Sequence, residues 1–158
     1  MADTALIATR AALVSCIAAS EALDAIAGMA GVLRIAPDEV LIVAGPQAGE
    51  EIVHAATAEL GETDPHALVT DVSDAWSGVT LAGDGARDLF AHLSPLTLPV
   101  TEGFLQGDVG RLAAKVIVRR PGDRITILAP APQAAYLRER ILALGAAERP
   151  EPEPWSAP

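Results

Sequence analysis

At 158 residues the chain can bury roughly 68–70% of its unfolded surface in one core, without help from a disulfide or a metal. Hydrophobic residues at 51% and charged residues at 20% give a globular balance, although aromatics are only 3% and alanine supplies much of the apolar fraction. A single cysteine, Cys16, and a formal net charge of −10 exclude a disulfide-stapled scaffold and disfavour nucleic-acid binding, which needs clustered cations against phosphate.

The charge is unevenly spread. Residues 1–109 carry 16 acidic and 3 basic side chains, whereas residues 110–147 carry 7 basic and 2 acidic ones. Such polarity can orient assembly with a partner, although solvated surface explains any single charge equally well. With one unpaired cysteine, a reducing, cytoplasmic setting is the simplest expectation.

From the N-terminus, "AALVSCIAAS" (residues 11–20) is apolar, and "LVSC" loosely resembles a lipoprotein cleavage box. Glu21 and Asp24 close the segment well short of the roughly 20 residues that a membrane span requires. Residues 5–27 are predicted to form an alanine-rich helix packed on the domain or on a partner.

Three rounds of strand, strand, helix follow. Val32–Ala36 and Val40–Ala44 flank a Pro37-Asp38-Glu39 turn, and a helix runs from Gly49 to Leu60, stopped by Gly61. Ala67–Val72 and Trp76–Ala82 are the next strands. The helix from Gly85 to Leu93 buries Ala86, Leu89, Phe90 and Leu93 at helical spacing. Leu112–Val118 and Arg124–Ala129 flank Pro121-Gly122-Asp123, and a helix from Pro132 to Leu144 completes the third round. In the Leu112–Val118 strand Leu112, Ala114, Val116 and Val118 share a face, while Lys115 interrupts the other.

This order predicts an α+β domain over residues 1–147, a mostly antiparallel sheet with helices on one face. Its stretch from Val40 to Val118 has the βαββαβ order of a ferredoxin-like unit. Ser94 to Gly110 reads as a long Pro- and Gly-rich loop in which Phe104 either plugs the core or faces a partner. Residues 148–158, "ERPEPEPWSAP", read as a tail in which Trp155 either docks on a neighbour or is incidental.

Few residues announce chemistry. Gly83-Asp84-Gly85 lies between strand and helix as a dinucleotide-binding loop would, but Asp88 occupies the third glycine's place. Asp84 and Asp88 would also oppose a pyrophosphate. A turn explains more, with Gly83 bending the chain and Asp84 serving as N-cap. His54, His66 and His92 occur singly, without metal-ligand spacing. Cys16 reads as a small buried apolar residue. Arg111, Lys115, Arg119, Arg120 and Arg124 could gather on an anion, or be solvated strand-end charges. No catalytic, cofactor-binding or metal residue is identified.

Three stretches together resemble the gamma subunit of heterotetrameric sarcosine oxidase, a small relative of the aminomethyltransferase (glycine-cleavage T-protein) fold. "LRIAPDEVLIVAG" (33–45) is similar to the family's L-x-L-x-P-D-E-W-L-L, with Val40 in place of tryptophan. In "VTDVSDAWSGVTLAGDGARDLFAHLSPLTL" (69–98), Asp71, Ser73, Gly83, Ala86, Arg87, Pro95 and Leu98 match. In residues 104–141, Phe104, Gly107, Arg111, Pro130, Tyr136 and Leu137 match, whereas Leu112 and Ala131-Pro132 depart from threonine and Arg-Ser.

The resemblance implies a small non-catalytic subunit of a complex that oxidatively demethylates sarcosine or a related secondary amine. It implies no cofactor in this chain, and larger flavin-binding and nicotinamide/folate-binding partner subunits that hold FAD, FMN, NAD and tetrahydrofolate. Neither nucleic acid nor membrane is an expected partner. The alternatives are a stand-alone tetrahydrofolate-binding or one-carbon-transfer protein and a self-assembling module. Arg87 and Arg111 are singled out either as an internal clamp, through Asp71 or Asp108, or as anchors for a partner subunit. Phe104 and Trp155 complete the candidate interface.

Overall fold

The computed structural model describes residues 3–119 and 124–155, the side chains of 151–153 excepted. The expected Pro121-Gly122-Asp123 turn, Arg120 and the last three residues lie outside the described residues. Where one domain was expected, the chain divides into two compact units. The first holds residues 1–9 and 74–153, and the second holds residues 10–73 and 154–158. Both are α+β.

The second unit is a complete βαββαβ module. In chain order it contains β2 (Ala12–Ile17), α1 (Ser20–Ile26), β3 (Val32–Ala36), β4 (Glu39–Ala44), α2 (Gly49–Thr63) and β5 (Leu68–Asp71). Its sheet order is β3-β4-β2-β5, with all three pairings antiparallel. Val14 and Cys16 from β2 and Val40 and Ile42 from β4 pack with Leu23 and Ile26 of α1 and Ala56 and Leu60 of α2. The short β3–β4 turn is held by Arg34, which donates to the Ala36 and Pro37 carbonyls and pairs with Asp24 of α1.

The first unit repeats the plan with additions. It contains β6 (Trp76–Ala82), α3 (Ala86–Leu93), β8 (Leu112–Arg119), β9 (Arg124–Pro130), α4 (Ala134–Ala143) and β10 (Ala147–Pro154), whose last residue falls in the second unit. β1 (Ala5–Arg10) is inserted between β10 and β6, and β7 (Gly103–Val109) adds an outer strand, giving the order β10-β1-β6-β9-β8-β7. Leu6, Leu81, Val116, Ile125 and Ile127 from the sheet meet Leu89, Phe90 and Leu93 of α3 and Leu137 and Ile141 of α4.

Several expectations are corrected. Residues 5–27 are not one helix but β1, β2 and the short α1. In sequence β2 is apolar at every position but Ser15, so it carries no alternating pattern, and a short continuous apolar run does not distinguish strand from helix. The ferredoxin-like unit placed at Val40–Val118 is divided between two sheets, each of which has its own βαββαβ set. The expected tail contributes β10 at a sheet edge, where proline's missing N–H breaks no inner ladder. The Ser94–Gly110 loop ends in β7. Gly61 does not stop α2, which continues to Thr63. The N-cap of α3 is Gly85 rather than Asp84.

Candidate functional site

The candidate residues of the first unit surround the segment between α3 and β8. Arg87, the second residue of α3, donates from its guanidinium to the Pro99 carbonyl at 3.0 Å. This ties the connecting segment to the helix. Ser94 Oγ donates to the Asp108 carbonyl and accepts the Leu96 N–H, while the Gly110 N–H bonds the Leu93 carbonyl at 2.7 Å. Leu96 and Leu98 lean onto the core. A Cβ at Gly103 would press on Pro99, and one at Gly107 on Leu96, so the two glycines let the segment lie close against β7.

Arg111 is placed differently. β7 and β8 are joined by only two residues, Gly110 (φ 61°) and Arg111 (φ 71°), between the paired Val109 and Leu112. Two positive φ angles mark a type I′ hairpin turn, whose twist matches the flanking strands. Glycine adopts this conformation freely. Arginine does so at a cost of roughly 1–2 kcal/mol. The backbone N–H of Arg111 donates to Asp108 Oδ1 at 2.9 Å, but its exposed guanidinium pairs with no carboxylate among the described residues. The contact between Arg111 and Asp108 therefore runs through the Arg111 main chain rather than its guanidinium.

Phe104 opposes Ile117 across β7 and β8, while its neighbour Leu105 opposes Val116 of the core. Phe104 is therefore half-buried on the sheet face away from the helices, not a plug in the helix-side core. On that face Thr9, Thr80 and Thr126 form a hydroxyl chain across three strands at 2.6 and 2.8 Å, and Arg119 donates to Thr126 at 3.3 Å. Trp155, in the second unit, is buried, and its backbone N–H donates to the Arg10 carbonyl at 2.7 Å.

A further arrangement escaped the sequence reading. Trp76 opens β6, and the Lys115 ammonium sits 4.7 Å from its ring centroid, within cation–π range. The one available signal was Lys115 interrupting an otherwise apolar strand. Arg119 and Arg124 are register partners on β8 and β9, but Arg111 sits at the opposite end of β8, so of the two readings of these charges the one that gathers all of them on an anion does not hold for Arg111.

The other sequence candidates occupy structural settings. Gly83 has φ 113°, and a Cβ there would strike the Asp3 carbonyl oxygen, so the Gly-x-Gly stretch is a tight turn. His54, His66 and His92 are exposed, and no three His, Cys, Asp or Glu side chains converge as a metal site among the described residues. Burial pushes the Cys16 thiol up to about 11, leaving little reactive thiolate. The Asp71 carboxylate accepts the Ser73 hydroxyl at 2.6 Å and the Ser73 N–H at 2.9 Å, which holds it below the usual aspartate range. Ser73 Oγ in turn accepts the Leu13 N–H, so this matched Asp-x-Ser stretch closes the end of the β2–β5 ladder.

No family model matches the chain, and no curated protein matches it in sequence. Solved structures do match. A chain of heterotetrameric sarcosine oxidase from Corynebacterium sp. U-96 aligns with a TM-score of 0.72 and 19% identity, over 92% of this chain and 87% of that one. The glycine cleavage system aminomethyltransferase T from Bartonella henselae aligns with a TM-score of 0.69 and 15% identity, over 93% of this chain. The chain spans about half of that protein's length, at 48%. The regulatory subunit of aspartate kinase from Thermus thermophilus, at a TM-score of 0.51 and 13% identity, shares the fold more distantly. The fold is thus α+β of the kind found in sarcosine oxidase and the aminomethyltransferase. Among the described residues no helix is long and apolar enough to cross a membrane.

Proposed function

We propose that the chain is a small non-catalytic subunit of a heteromeric complex that oxidatively demethylates sarcosine or a related secondary amine. The observation that carries this reading is the nearly end-to-end structural match to a chain of an assembly that is itself heterotetrameric. The ordered residue matches around Asp71, Arg87 and Arg111 support it. In this reading larger partner subunits bind FAD, FMN, NAD and tetrahydrofolate, and this chain contributes surface rather than chemistry.

The two arginines then divide their work. Arg87 fastens the segment before β7, and Arg111 presents a guanidinium at a hairpin tip for a partner's carboxylate or carbonyl. The test is to purify the chain alone and together with candidate flavin-binding subunits, following bound flavin by absorbance and sarcosine-dependent peroxide formation. The expected result is no turnover by the isolated chain and restored turnover in the complex. Turnover by this chain alone defeats the proposal. In the complex, Arg111→Ala is expected to weaken association by about 2–5 kcal/mol if the contact is buried, while Arg87→Ala lowers the stability of the isolated chain.

The match to an aminomethyltransferase favours one second reading, a stand-alone tetrahydrofolate binder. Calorimetric titration with tetrahydrofolate discriminates: saturable heat with the isolated chain supports it, and none removes it.

A further inference from the structure

We propose that a cavity between α3 and the end of α4 binds a small alkylammonium ion. The cavity lies within the first unit and measures about 110 Å³, several times the roughly 10–15 Å³ that one water needs. Gly85, the N-cap of α3, and Asp88, Leu89 and His92 recur at i, i+3, i+4 and i+7 and form one wall. Leu144 and Gly145, which follow α4, and Thr4, which precedes β1, form the other.

Thr4 points to a guest. It is 5% exposed, and its hydroxyl makes no hydrogen bond to any described residue, although its carbonyl accepts the Ala147 N–H at 2.8 Å. A hydroxyl taken out of water without a partner is unfavourable, and a polar guest in the cavity satisfies it. Asp88 supplies the charge. Its exposed carboxylate bonds no donor among the described residues, and neither Lys nor Arg lines the cavity. The C-terminal end of α4, with its partial negative charge, adds to the same polarity. His92, one turn beyond Asp88, offers a ring nitrogen as a further acceptor. The first turn of α3 favours an acidic residue on its own account, so Asp88 alone indicates no ligand. The buried Thr4 hydroxyl is what the helix does not explain.

The apolar part of the lining selects among cations. Leu89 is buried and Leu144 half-buried, so an alkyl group covers them, whereas a bare metal ion leaves them against its hydration shell. Asp88 and His92 also fall short of the three or four protein ligands of a zinc site. The volume restricts the guest to a few heavy atoms. The proposal is independent of the subunit reading, because every lining residue belongs to this chain.

The test is a titration of the isotope-labelled full chain with ethylammonium chloride at constant ionic strength. The backbone amide resonances of Gly85 and Gly145 are followed by NMR, with that of Gly31 in the second unit as reference. The expected result is a saturable shift at Gly85 and Gly145 with a dissociation constant of about 1 mM, while Gly31 stays fixed. Asp88→Asn weakens binding at least about tenfold, and ethanol, which keeps the size but lacks the charge, loses a similar factor. Thr4→Val keeps the shape and weakens binding about three- to tenfold. It does not lower the melting temperature of the free chain, because the hydroxyl it removes has no partner there. A shift that does not saturate by about 50 mM overturns the proposal, as does unchanged binding by Asp88→Asn. A lower melting temperature for Thr4→Val also overturns it, since the hydroxyl then has a structural partner. Zinc chloride saturating the same resonances at lower concentration than ethylammonium, with that effect lost in His92→Ala, overturns it and assigns the cavity to a metal ion. Should Asp88→Asn fail to fold, Thr4→Val and the ethanol comparison carry the test by themselves.

Discussion

The two compact units share the same strand–helix order but were elaborated differently. The second keeps the minimum of four strands and two helices, and its helix-side core is wholly aliphatic apart from Cys16. The first adds β1 and β7, centres its core on Phe90, and carries Trp76, Phe104 and Tyr136 as well. Their charges differ too. Residues 10–73 and 154–158 hold 10 acidic and 2 basic side chains for a net −8, whereas the remainder holds 11 acidic and 9 basic for −2. The repeated scaffold needs only a βαββαβ pattern and one buried helix-facing sheet surface. What distinguishes the first unit is the pinned segment and the strained hairpin beside its added strand β7, and the Trp76–Lys115 pair across the shared strands β6 and β8.

The comparison is open to challenge, beginning with the cores. Phe90 is 1% exposed and Leu60 is fully buried, one in each unit. Phe90→Ala is expected to cost about 3–5 kcal/mol and Leu60→Ala about 2–5 kcal/mol, measured by urea denaturation. A loss below about 1 kcal/mol from Phe90→Ala would mean that the aromatic does not centre the first unit's core.

The next effect tests whether both units rely on left-handed glycine. Gly31 (φ 78°) lies where a Cβ would strike the Val43 carbonyl, and Gly83 (φ 113°) where one would strike the Asp3 carbonyl. Alanine at either position is expected to destabilise by about 1–3 kcal/mol in thermal denaturation. A neutral result at one position alone would show that this unit absorbs the clash by moving backbone.

Arg111 has no counterpart in the second unit, since it is the one non-glycine residue with positive φ among those described. Arg111→Gly should therefore stabilise the isolated chain by up to about 1 kcal/mol, the released strain less glycine's extra unfolded-state entropy. Arg111→Ala should not, because alanine retains the strain. Equal melting temperatures for the glycine and alanine variants would remove the strain argument.

The smallest effect belongs to Asp71 in the second unit. Its folded-state pKa lies below the unfolded value, because Ser73 bonds the ionised carboxylate. Its contribution is therefore present above the unfolded pKa and disappears as pH falls through the lower, folded one. Stability curves for wild type and Asp71→Asn should differ at neutral pH and converge in acid. A constant gap across that range would assign the effect to shape rather than charge.

The sequence by itself determined most of the local structure. Val32–Ala36 and Trp76–Ala82 are strands as predicted, and the spacing of Ala86, Leu89, Phe90 and Leu93 marks the buried face of α3. These elements have one clear period and recognisable turns. Residues 5–17 have neither, because β2 reads as a nearly continuous apolar run and alanine suits helix and strand alike, so only strand pairing fixed their state. β10 was illegible for the opposite reason: three prolines and four charges read as a tail, yet an edge position tolerates both.

The candidate site divides in the same way. Arg87 and Arg111 stood out in the sequence because both match the pattern that the chain resembles, and Lys115 because it interrupts a strand face. Their partners did not. Pro99 is 12 residues from Arg87, and Trp76 lies two strands away from Lys115 in the sheet. Such pairings depend on register and strand order, which arise from long-range contacts that no local propensity encodes. The same holds for the two units, because a βαββαβ pattern read in the wrong frame still looks like one domain, and only the assembled sheets decide where each begins.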